Sequence, residues 1–212
     1  MAFLDGLLVV HLLLNFLILG TSRIRAVVQA VALQGVILGL LPLLVHRPAH
    51  TQAVLVCLVT ALLKGAIIPG MLFRAMRQLP IRREVEPLVG LITSMVLGAV
   101  GTALAIAFSR QLPLVEGAAS GLLVPAALSS VFAGFLILTT RVKAITQATG
   151  YLMLENGIFI FGMQLLEAMP LMVEMGALLD LVVGIFVMGI IISHINREFA
   201  SVNTERLAAL KE

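Results

Sequence analysis

Residues 151–162 read YLMLENGIFIFG, a carboxylate, Glu155, followed at once by Asn156 in a run that is otherwise almost entirely apolar. What surrounds that run decides the fold. Of the 212 residues, 60% are hydrophobic and only 12% are charged, and the mean hydropathy is +1.12. A soluble domain is about half apolar and about a quarter charged, so this excess has to be covered by something larger than the chain's own core. Apolar runs of about 20 residues, enough to cross a hydrocarbon layer of roughly 30 Å as a helix, recur along the whole length. The sequence therefore predicts an all-α integral membrane protein. Its first run follows Met1 directly, without a basic leader or a small-residue cleavage site, and reads as a retained span.

Runs bounded by charged or Pro clusters predict seven spans, near 3–20, 25–45, 52–73, 87–109, 118–139, 144–166 and 171–194. Basic residues test the number. Arg23, Arg25, Arg74, Arg77, Arg82, Arg83, Arg141, Lys143, Arg197, Arg206 and Lys211 follow odd-numbered spans, whereas only Arg47 and Arg110 fall on the other side. The asymmetry predicts an outside N-terminus and a cytoplasmic C-terminus, because basic loops stay on the cytoplasmic side. The tail at 197–212 reads either as a short surface helix or as a solvated end.

An internal echo divides the chain. TSRIRAVVQAVA, from Thr21, aligns with TTRVKAITQATG, from Thr139, and ALLK ending at Lys64 aligns with ALLD ending at Asp180 at nearly the same offset. The pattern predicts two parallel three-helix units, 1–76 and 113–196, joined by a linker and connector helix at 77–112. The long linker RAMRQLPIRREVE is basic and carries Pro80.

Glu155, Asp180 and Lys64 each fall near the middle of a predicted span. A charge there costs from about 3 to more than 10 kcal/mol, so such groups are rare and point to function by default. Burial disfavours a carboxyl's charged form and a neighbouring cation restores it, which lets an embedded carboxyl exchange protons. Glu155 lies roughly 15 Å, and Asp180 roughly 21 Å, from the cytoplasmic ends of their helices at 1.5 Å per residue. Similar depth on different helices suits transfer in the membrane plane. The competing reading is a structural ion pair that fixes helix packing. Lys64 is either a relay member or the counter-ion of a carboxylate in this chain or a neighbour, and Pro69, five residues on, predicts a kink that opens a hydrated pocket beside it. His11 and Asn15, one turn apart, read as interhelical hydrogen-bonding groups or as accessory members of a polar path, with Asn156 beside Glu155. Gly35 and Gly39 mark a close helix contact.

Other chemistry is excluded or weak. Cys57 is the only cysteine, so neither a disulfide nor a multi-cysteine metal or iron–sulfur site fits within the chain. His46 and His50 flank Pro48 and read as a surface loop and not as metal ligands. No phosphate-binding Gly loop, dinucleotide fingerprint, nucleophile elbow or zinc-protease motif occurs, and no basic stripe with interleaved aromatics suggests nucleic acid.

These residues carry a resemblance. The segment from about 118 to 197, with a mid-membrane Glu in LMLENGIF and an acid before small residues in LLDLVVGIFVMGIIISHINRE, resembles the K subunit of bacterial complex I. Glu155 matches the first of that subunit's two membrane glutamates and Asp180 the second, one methylene shorter. The full-length layout is similar to component E of hydrogenase-4, a membrane subunit of complex-I-like hydrogenases. The resemblance implies a small subunit of a bacterial or archaeal cytoplasmic membrane, packed between antiporter-like and membrane-anchor subunits. Its carboxylates would couple redox chemistry to proton or sodium movement, and the nickel–iron centre and iron–sulfur clusters would belong to partner subunits. The small subunit of a cation/proton antiporter and a purely structural scaffold are the alternative readings.

Overall fold

The computed structural model describes residues 2–45, 58, 60–78, 87–112 and 120–163. Among them all the regular structure is helical: α1 (Ala2–Gly20), α2 (Ile24–Val45), a π-helical turn (Leu63–Ile67), α3 (Ile68–Gln78), α4 (Leu91–Ser109), α5 (Leu123–Thr140) and α6 (Ala144–Met163). Helix is the form these sequences must take in hydrocarbon, because only helices and closed barrels satisfy every backbone N–H and C=O without water. Four of the described helices, α1, α2, α4 and α5, are long and apolar enough to cross a membrane. The 19 residues of α1 span about 28 Å at 1.5 Å per residue. The described part of the chain is thus all-helical, and its four long apolar helices are consistent with residence in a membrane.

Helices α1, α2, α6 and α5 pack in a ring in which each touches the next, with α4 laid against α1 and α5 and the π turn and α3 laid against α2. Two tight turns, 21–23 and 141–143, make hairpins of α1 with α2 and of α5 with α6. These turns coincide with the echoed TSR and TTRVK segments. The third helix of the proposed second unit, Asp180 with it, lies outside the described residues, as do His46 and His50.

Helix α6 is more polar than the four apolar spans, yet its polar residues Thr146, Thr149, Glu155 and Asn156 are all buried. Its neighbours, and not lipid, cover its polar residues, which is why a helix carrying Thr146, Thr149, Glu155 and Asn156 tolerates the interior. Close approach makes this possible. A Cβ at Gly157 would stand 2.6 Å from the Ala127 carbonyl oxygen and 2.7 Å from the Val131 nitrogen, so only glycine lets α6 lie this near α5. The outer surface is the reverse. Phe3, Leu13, Ile92 and Leu104 are all more than 60% exposed, the apolar coat a bilayer covers.

Pro69 shapes the approach to the site, though not as the sequence predicts. Proline at this position lacks an N–H and crowds the carbonyl four residues back, that of Gly65. The helix relieves the conflict by widening for one turn, with the Ile68 N–H reaching five residues back to the Leu63 carbonyl. Lys64 lies on this widened turn. The wide turn carries that side chain inward, leaving the residue 9% exposed.

Candidate functional site: a buried ion pair and a string of amides

Lys64 Nζ lies 2.8 Å from Glu155 Oε1, and both side chains are buried. Lys64 therefore stands as the counter-ion of a carboxylate within this chain. The ammonium also sits 5.2 Å from the centroid of the Phe159 ring. Phe159 and Glu155 are four apart on α6 and so share a face, which lets one helix offer the lysine both a carboxylate and the negative face of an aromatic ring.

Behind the pair, in the middle of the four-helix ring, runs a string of buried polar groups. Asn156 Nδ2 donates to Gln34 Oε1 at 3.5 Å, Gln34 Nε2 donates to Asn15 Oδ1 at 2.7 Å, and Asn15 Nδ2 donates to Ser130 Oγ at 2.9 Å. Ser130 passes its own hydrogen to the Ala126 carbonyl at 2.8 Å. Donation therefore runs in one direction from α6 through α2 and α1 to α5. His11 Nε2 is 2.9 Å from the same Ser130 Oγ. Because the serine's hydrogen is spent on Ala126, the histidine has to be the donor, which fixes the Nε2–H tautomer. Its Nδ1 is then a buried acceptor, without a partner among the described residues.

His11 and Asn15 are thus the interhelical hydrogen-bonding pair the sequence suggests, and Asn156 joins them. Gln34 and Ser130, which make the joins, carry no motif. Their only sequence signal is position: polar residues half-way along apolar helices that lipid would not tolerate unpaired. Next to Ser130, the Ser129 hydroxyl meets Thr102 of α4 at 2.7 Å, so a fifth helix is tied to the same level.

The two parts differ chemically. In the ion pair one proton can pass from Nζ to Oε1, turning two charges into two neutral groups with nothing else consumed. Side-chain amides bind or release protons only far from neutral pH, so the string orients but does not relay. Among the described residues no cluster of His, Cys, Asp and Glu suits a metal ion.

A second buried cation lies at a helix end. Arg141, counted in the sequence among the basic loop residues, is only 2% exposed; its guanidinium donates from Nη2 to the Leu19 carbonyl at 3.0 Å and from Nη1 to the Val89 carbonyl at 3.5 Å. The last carbonyls of a helix lack partners within it and carry partial negative charge, so an arginine lies favourably at the end of α1. Arg23, its counterpart in the echo, is exposed.

No family model matches the chain, and no solved structure matches it. Over 202 residues the chain is 32% identical to the Uncharacterized protein Rv0085 of Mycobacterium tuberculosis, a match that takes in 94% of this chain and 92% of the relative. With that identity over nearly the full length of both, the chain belongs to the same family as this mycobacterial protein, the Rv0085 family.

Proposed function

We propose that this protein is a membrane subunit of a complex-I-like, hydrogenase-4-type assembly, in which the Lys64–Glu155 pair forms part of an ion-translocation path driven by redox chemistry in partner subunits. The observation that carries the reading is the ion pair itself, at 2.8 Å and buried among the helices. Taking two charges out of water costs several kcal/mol for each, and apolar side chains of similar volume usually hold helices together as well or better. A pair kept at that cost fits a switch between charged and neutral forms. Asp180 extends the path along the seventh span, the N-terminus is outside and the C-terminus is cytoplasmic. Electrons travel through metal centres of the partners, since one cysteine cannot hold a cluster.

A scaffold is the second reading, and the amide string favours it, because a chain of hydrogen bonds through four helices is a device for fixing packing. One experiment separates the two. Glu155→Gln is introduced into the native complex, and ion movement into membrane vesicles is followed beside the assembly state on a native gel. A relay predicts loss of ion movement at least tenfold with the complex intact. Undiminished ion movement in that variant ends the relay proposal; loss of assembly, restored by Lys64→Met together with Glu155→Gln, assigns the pair to scaffolding.

A further inference from the structure

The ion pair belongs to a closed circuit of contacts. Gln34 holds Asn156, and Asn156 is joined covalently to Glu155. Glu155 pairs with Lys64. The Lys64 backbone lies against Gly35, where an added Cβ would meet both the carbonyl carbon and the oxygen of Lys64 at 2.5 Å. Gly35 is joined covalently to Gln34, which closes the circuit. Two adjacent residues of α2 thus hold the two halves of the pair, one through a side-chain amide on α6 and one through bare backbone contact with the π turn. Gln34 is itself fixed from behind by its 2.7 Å bond to Asn15. Neighbouring residues of a helix point about 100° apart, so α2 can face α6 and the π turn at the same level only through two consecutive positions. Both positions are constrained: Gln34 is fully buried, and Gly35 has no room for a methyl group.

We propose that Gln34 and Gly35 are positioning residues that set the separation of Lys64 and Glu155, acting as a two-residue gauge on α2. The inference rests on the proposed function only for what the separation is used for; the separation itself can be measured without it. The full-length chain is reconstituted in lipid with nitrogen-labelled lysine and carbon-labelled glutamate side chains, and the Lys64 Nζ to Glu155 carboxyl distance is measured by solid-state NMR. Lys64→Met identifies the signal by removing it. Gly70→Ala is the control, since an added Cβ there has nothing among the described residues within 4 Å.

A methyl group at Gly35 must retreat to an ordinary carbon contact of about 3.5 Å, so Gly35→Ala moves the π turn by about 1 Å and the distance lengthens accordingly. Gln34→Met, of similar volume but without the amide, frees Asn156 and lengthens or broadens the same distance, while Gly70→Ala keeps the wild-type value. If Gly35→Ala does not insert, Gln34→Met alone decides. Wild-type distances in the inserted variants overturn the gauge, whatever ion movement does. A lengthened pair with ion movement undiminished upholds the gauge and defeats the relay.

Discussion

At the scale of single residues, charge is placed where the surrounding chain can answer it. Glu155 is answered by Lys64, and removing one partner from a buried pair leaves an uncompensated charge. Glu155→Gln should therefore lower unfolding stability in detergent by about 3 kcal/mol, less than the roughly 5–15 kcal/mol total of a typical folded protein, so folding survives. Adding Lys64→Met should recover most of the loss; a double variant no more stable than the single one would show that the two side chains do not act as a pair. Arg141 gives a second measurement. Its bonds to the end of α1 are charge-assisted and buried, so Arg141→Ala should cost about 1.5–3 kcal/mol, whereas Arg23→Ala should leave the thermal transition in place. Equal shifts for the two would mean that the Arg141 side chain does not hold the end of α1.

At the scale of elements, small residues decide how closely helices approach, and closeness decides whether polar groups on different helices can bond. A methyl group at Gly157 must push α6 from α5, a misfit worth about 1–3 kcal/mol. Gly162, on the same helix, has nothing among the described residues within 4 Å of an added Cβ, and Gly162→Ala should be neutral or should stabilise by up to about 1 kcal/mol through helix propensity. Thermal unfolding of the two variants in the same detergent tests the contrast, and similar changes would mean that α5 and α6 do not touch at Gly157. The wide turn at Leu63–Ile67 belongs to this scale as well. The sequence shows Pro69 and hence a disturbed helix, but a kink and a widened turn relieve the same clash, and the packing of α2 against this segment is what accompanies the second outcome.

At the scale of the whole molecule, four helices long and apolar enough to span a bilayer are consistent with residence in a membrane. The chain should stay with the membrane pellet after alkaline carbonate extraction. The basic loops predict that a reporter fused after Glu212 is active in the cytoplasm and that one inserted near residue 115 is active outside; the reverse pattern would invert the proposed topology.

Helical class and the presence of apolar runs long enough to cross a membrane were decided by the sequence alone. Apolar run length is a one-dimensional quantity matched to the thickness of hydrocarbon, and a charge in the middle of such a run stands out without any knowledge of neighbours. Which groups meet was decided by the tertiary structure. Lys64 with Glu155, Gln34 with Asn15 and Asn156, and Arg141 with the end of α1 are contacts between helices far apart in the chain. Helical periodicity says which face a residue occupies but not which helix lies opposite, and that is set by where the glycines let two backbones come together.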